Sequence, residues 1–272
     1  MLINTVLLFL QSALPMFILI SLLLLRFNAA SVSLGTRENW IKISLLSGLL
    51  VFILSQNMEG ISQLFDGKGT EVIFSFGFVL IYFCSVHLFL FDNKDHITNV
   101  KKSLASTLFL LVLLLNGSHF VLYFSSYLTQ SPSFEFSGGE LAGFESLFIG
   151  IILAVGICIS FAILLYFLLR YCDAFIHTKT SRYFLLFFAT GQLMQTIVLL
   201  QQVDILPMSH IVWNSSSLIT ENSEIGQLLR VLIGYETTPS IMQLITYLIA
   251  FIVPVLMRKS RYINRLAYGE KS

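Results

Sequence analysis

The chain has 272 residues, 56% hydrophobic and 11% charged, with a mean hydropathy of +0.83. A soluble domain carries about 25% charged residues, so a soluble globule is excluded, and at about 20 apolar residues per helical crossing nearly the whole length is consumed by spans. The net charge of +1, from sixteen basic and fifteen acidic residues, leaves no basic stripe of the kind a nucleic-acid partner requires. The expectation is one all-α integral membrane domain over residues 1–272, a multi-pass protein of the cell membrane in contact with the lipid bilayer.

Seven apolar stretches predict spans at 2–25, 40–56, 71–91, 103–128, 145–169, 182–201 and 240–257. The first starts at Leu2 without a basic region before it and runs past the roughly 7–15 residue core of a cleaved signal, so it reads as a retained helix. Near its middle, Gln11, Ser12 and Pro15 interrupt the apolar run. Pro15 frees a backbone carbonyl that a neighbour must satisfy. The trio reads either as a kink with Gln11 bonded across helices or as part of a ligand site.

The second stretch is shortened by Lys42, Ser44 and Ser47. The third opens on Glu71, where the helix dipole favours a carboxylate. In the fourth, Asn116, Gly117, Ser118 and His119 form a polar island, with Asn116 and His119 on one face. A neutral imidazole there can ligate a metal or relay a proton, Gly117 permits close helix approach, and a purely interhelical role is the alternative. The fifth opens on Glu145, a capping position. The sixth carries Gln192 and Gln195, whose amides read as interhelical stitches, and then Thr196. Between the sixth and seventh, an amphipathic stretch from Ile225 to Ile233 ends at Gly234, placed as a helix C-cap. It predicts a short re-entrant or interface-lying helix, with Trp213 and Tyr235 at headgroup depth.

The basic residues test this count. With seven spans and the N-terminus outside, fourteen of the sixteen fall on the inner side and only Lys68 and Arg230 on the outer, as the positive-inside rule requires. Ten of the fifteen acidic residues, Glu71 and Glu236 among them, fall on the outer side. Such a mouth concentrates cations. Cys84, Cys158 and Cys172 lack metal-ligand spacing and read as core residues. No HExxH, GxSxG or Walker pattern is present, and the expectation is a protein that is not an enzyme and holds no cofactor.

The C-terminal half, "LLQQVDILP" followed by "IVWNSSSLITENSEIGQLLRVLIGYETTPSIMQLITY", resembles the high-affinity iron permease family, the oxidase-dependent iron transporters. The matching positions are Gln201, Gln202, Trp213, Ser216, Ser223, Gly226, Leu228, Leu229, Gly234, Tyr235, Pro239, Ser240 and Tyr247; the opening "MLINTVLLF" and "FDGKGTEVIFSF" extend the likeness along the chain. The resemblance implies seven spans with the N-terminus outside, metal-ion uptake with iron as the transported cation, and a partner oxidase or extracytoplasmic protein. It also identifies departures. The family's Arg-Glu-x-x-Glu motifs are degenerate: Ser12 and Pro15 replace the glutamates of the first, Asn116 and His119 those of the second, and Phe74 stands where an acid is usual after Glu71. A ferric ion needs charged oxygen ligands in return for its hydration shell. Three readings therefore stay open: a different or softer cation held by Glu71, His119, Asn116 and Ser12, with Gln11, Pro15, Gly117, Ser118, Gln192 and Gln195 lining the path; an uncharged substrate; or a non-conducting paralogue acting as partner or scaffold of a membrane complex.

Overall fold

The computed structural model describes residues 2–28, 37–90, 98–130, 140–175, 180–220 and 223–267. Their regular structure is helical, with one isolated antiparallel bridge between Ile211 and Ser240. The helices are α1 (Leu2–Asn28), α2 (Arg37–Gln56), the short α3 (Met58–Ser62) and α4 (Leu64–Gly67), α5 (Gly69–Leu90), α6 (Thr98–Gln130), α7 (Glu140–Phe175), α8 (Thr180–Gln202), α9 (Glu224–Ile233) and α10 (Ile241–Ala267). Six of them, α1, α5, α6, α7, α8 and α10, are long and apolar enough to cross a bilayer, which makes this a multi-pass membrane protein. In hydrocarbon every backbone N–H and C=O must be satisfied internally, and helices do this. α2 covers the second predicted stretch, and its described apolar part is Leu45–Leu54.

α1 packs along α7 and α6 and is flanked by α8 and α9; α5 lies along α8 and α6; α2 covers α6; α10 closes against α8 and α5. One apolar cluster joins Leu10, Leu14, Ile18 and Leu22 of α1 to Phe74 and Phe78 of α5, Leu108 and Val112 of α6, Cys158 and Leu165 of α7, Leu185 of α8 and Val231 of α9. In α8, 56% of the crossing is buried, against 22% in α7 and 17% in α10, so α8 is the axis of the bundle and the other two are its rim. Phe148, Ile152, Leu164 and Phe167 of α7 are exposed on that rim, an apolar face suited to lipid. Pro15 and Pro254 lie inside α1 and α10, and both are buried. The cysteines are free thiols, Cys158 buried and Cys84 and Cys172 half-buried.

The segment before the last crossing turns back into the bundle. Ser223 caps α9, its Oγ accepting from the Gly226 N–H at 3.0 Å. Gly234 ends it in the left-handed region at φ 71°, donating to the Arg230 carbonyl at 2.9 Å. A Cβ added to Gly191 would meet the Gly234 nitrogen at 2.8 Å, and Arg230 Nη2 donates to Gln195 Oε1 at 3.4 Å, so α9 runs antiparallel to α8. Gly191 is eleven residues from each end of α8, 191 − 180 and 202 − 191, hence at mid-depth. The tip of α9 is therefore re-entrant rather than interfacial.

The return stretch from Tyr235 to Ser240 is non-helical backbone at depth, which is tolerated only where protein satisfies it. Ser215 N–H donates to the Thr237 carbonyl and Val212 N–H to that of Pro239, both at 2.9 Å. A capping box then starts α10: Ser240 N–H donates to Gln243 Oε1 at 2.7 Å and Gln243 N–H to Ser240 Oγ at 3.3 Å. Gln243 Nε2 also donates to Glu236 Oε2 at 2.6 Å. The Tyr235 hydroxyl bonds Ser215 Oγ at 2.8 Å and the Ile219 carbonyl at 3.2 Å, so Tyr235 pins this loop together. Trp213 is exposed.

Candidate functional site

The seam between α5 and α8 carries the most unusual polar groups. Positions 71, 75, 78, 82, 85 and 89 of α5, and 182, 185, 189, 192 and 196 of α8, repeat at alternating steps of four and three, the spacing that keeps a stripe on a neighbouring helix. All are buried except the half-buried Glu71 and Tyr82. Thr196 Oγ1 donates to the Ser75 carbonyl at 3.3 Å, and the Phe89 and Tyr183 rings meet at 5.7 Å, which sets the antiparallel register.

Along this stripe four oxygens are buried and make no hydrogen bond within the protein: Glu71 Oε2, Ser75 Oγ, Ser85 Oγ and Gln192 Oε1. Ser75 and Gln192 are each 4% exposed and Ser85 0%, so bulk solvent does not serve them. An unmade bond at a buried polar atom costs about 1–3 kcal/mol, and such atoms are uncommon enough to call for an occupant or a function. From Glu71 to Ser85 they extend about 21 Å at 1.5 Å per residue, most of a hydrocarbon core about 30 Å thick. The set is chemically uniform: one carboxylate, hydroxyls and an amide carbonyl, all hard oxygen donors.

The other candidates are placed differently. In α1, Gln11 is exposed, Ser12 half-buried and Pro15 buried. In α6, Asn116 Nδ2 donates to the Val112 carbonyl at 2.9 Å and Ser118 Oγ to that of Leu114 at 2.6 Å, so both groups turn back on their own helix. Gly117 faces α2, a Cβ there meeting Val51 at 3.5 Å, in keeping with close helix approach. The side chains of His119 and Glu145 lie outside the described residues. Between α5 and α6, Leu115 fills the space a side chain on Gly77 would take, and Phe9 of α1 meets Phe120 of α6 edge to face at 5.0 Å. α5 neighbours α6, α8 and α10 along its length, whereas α1 neighbours α6, α7, α8 and α9. Glu71 and Ser12 thus stand on helices that meet through side chains, Arg26 of α1 donating to the Leu88 carbonyl of α5, but whose backbones do not pack closely together. Among the described residues no three His, Cys, Asp or Glu side chains gather as a metal site.

Of the sequence candidates, Glu71 and Gln192 share the α5–α8 seam, while Gln195 faces α9 through Arg230. Ser75, Ser85 and the buried Arg182 complete the stripe and were not candidates from sequence. The signal that could have found them is the four-three spacing itself. Comparison of the chain with family models, with curated proteins and with solved structures gives no match.

Proposed function

We propose that the protein is a permease, not an enzyme, that moves a metal cation inward along the α5–α8 seam, with α2 as a seventh span, the N-terminus outside and the C-terminus inside. The observation that carries this reading is the row of four buried, unpartnered oxygens from Glu71 to Ser85. A desolvated cation needs oxygen ligands and at least one negative charge; Glu71, in the first turn of α5, supplies the charge at the outer end, and the amide and hydroxyls supply weaker sites that let the ion leave. The motif resemblance to iron permeases makes iron the first cation to try. A single carboxylate suits a divalent ion better than a ferric one, which agrees with the loss of both glutamate pairs.

The experiment is uptake into vesicles reconstituted with the purified protein, using ferrous and manganous ions and an internal chelating dye. Wild type is expected to exceed protein-free vesicles. Glu71→Gln removes a charge-assisted contact valued at about 1.5–3 kcal/mol, hence a drop of about tenfold or more. If wild type moves neither ion, uptake of these cations along the seam is refuted, and the role of a partner or scaffold in a membrane complex becomes the favoured reading.

A further inference from the structure

The row of unpartnered oxygens stops short of the end of the seam opposite Glu71. Ser85, 0% exposed, carries the last of them. One turn farther along the same stripe stands Phe89, also 0% exposed. Its ring meets that of Tyr183 at 5.7 Å, and Arg258 of α10 lies over both, 5.3 Å from the Phe89 centroid and 5.9 Å from that of Tyr183. Phe89, Val86 and Leu186 form a small core of their own, against which Phe251 and Val255 of α10 pack. This end of the seam is closed, and α10 is its cover. The way α10 is attached is uneven. Pro254 lies inside it and has no N–H for the carbonyl four residues back, that of Ala250. Tyr82 of α5, on the seam stripe, donates its hydroxyl to that carbonyl at 2.8 Å, so a neighbouring helix replaces the missing bond. Before Pro254, Phe251 stacks on Phe187 of α8 at 4.4 Å. After it, Arg258 is held by ring faces, and its Nη1 is buried without a hydrogen bond. Leu256, Met257 and Ile263 are exposed, and only 17% of the α10 crossing is buried, the least of the six.

We propose that α10 beyond Pro254 is a gate, which swings about Pro254, lifts Arg258 off Phe89 and Tyr183, and joins Ser85 to solvent at the end opposite Glu71. A turn that lacks its ladder bond is where a long helix bends. The half before Pro254 is tied to α5 by the Tyr82 hydroxyl and to α8 by the Phe251 ring, so it stays in place while the other half moves. Two guanidinium contacts to aromatic faces favour the closed position by about tenfold. That holds the gate shut most of the time and still lets it open unaided. A lightly buried crossing opens at lower cost than the buried axis α8. The gate rests on the reading of the seam as a cation path, because a row of oxygens that ends at an aromatic wall needs an exit.

Solvent access to position 85 tests the gate without requiring transport. The full chain with Ser85→Cys, and with Cys84→Ala to remove the adjacent thiol, is placed in phosphatidylcholine vesicles. A membrane-impermeant cationic thiosulfonate is supplied on both faces, and modification of residue 85 is timed by peptide mass. Adding Arg258→Gln should speed modification about tenfold, since both ring contacts are given up. Adding Pro254→Ala returns a ladder donor to the Ala250 carbonyl and should slow modification about threefold or more. Arg261→Gln, exposed on the same helix, should match the parent. Any result in which Arg258→Gln and Pro254→Ala do not move the rate in opposite directions overturns the gate. Should Arg258→Gln not fold, Pro254→Ala decides alone: slower modification supports the hinge, and an equal or faster rate overturns it. Ferrous uptake by the wild type, measured beside this, separates the gate from the path. Opposite shifts in a protein that takes up no ion support the gate and refute only its cargo, whereas a wild type that conducts while position 85 ignores both substitutions overturns the gate and puts the exit elsewhere.

Discussion

Gly191 and Gly234 meet backbone against backbone. A Cβ on the first would lie 2.8 Å from the Gly234 nitrogen, and one on the second 2.7 Å from Gly191 Cα. Neither neighbour is a flexible side chain that can swing aside, so a substituent must push α9 away from α8. Gly234 also holds a φ of 71°, which L side chains resist. Gly191→Ala is expected to cost about 1–3 kcal/mol by overpacking, and Gly234→Ala about 1 kcal/mol more for the left-handed backbone. Thermal unfolding in detergent of the two variants beside wild type measures both. Equal midpoints for all three would show that the contact is not close.

The other end of α9 gives a local test. Ser223 Oγ accepts the Gly226 N–H at 3.0 Å and donates to the Thr220 carbonyl at 2.6 Å. Removing the cap with Ser223→Ala should cost about 1 kcal/mol, concentrated in the first turn. Amide hydrogen exchange should accelerate about fivefold at Gly226 and Gln227 and remain unchanged in the middle of α8. Uniform acceleration along both helices would mean that α9 opens only with the whole bundle.

Hydropathy alone located the long helices, because a crossing must be apolar over its whole length and little else in a sequence looks like that. The amphipathic stretch ending at Gly234 was also readable, since one helix turn of apolar spacing and a terminal glycine are local signals. What hid was the state of the hydroxyls. Ser118 and Ser75 look alike in sequence, each in an apolar helix, yet Ser118 bonds the carbonyl four residues back and Ser75 Oγ bonds nothing. Local back-bonding is the usual fate of such residues, and only the register of two helices 121 residues apart shows which serine escapes it. The polar island at Asn116 drew the eye for its density. Its described members, Asn116 and Ser118, are satisfied within one helix.

That contrast makes the island a control. Asn116→Leu loses a bond to the Val112 carbonyl that the helix ladder already satisfies, and Ser118→Ala loses an equally local bond. Both variants should fold and retain cation uptake within about twofold, a change of about 0.4 kcal/mol. A loss of about tenfold in Asn116→Leu, with folding intact, would favour the α6 island over the α5–α8 seam as the proposed path.

Gln192 separates stability from function. Its Oε1 is buried without a partner and its residue is 4% exposed, so the folded state bears a desolvation cost that a leucine of similar size would not. Where a polar group is spare for structure, replacing it with an apolar one of like shape is neutral or stabilising; Gln192→Leu should therefore unfold at the same temperature as wild type or a few degrees higher. If the same oxygen serves a passing cation, uptake should fall by about tenfold, since a ligand replaced by hydrocarbon costs at least about 1.4 kcal/mol at the ion's crossing. Gln192→Glu, which returns an oxygen with a charge, should restore binding of a divalent ion while slowing its release. Unfolding curves and vesicle uptake on the three proteins together read the trade. A Gln192→Leu protein that melts early and still transports would show that the amide holds the bundle together and that the ion travels elsewhere.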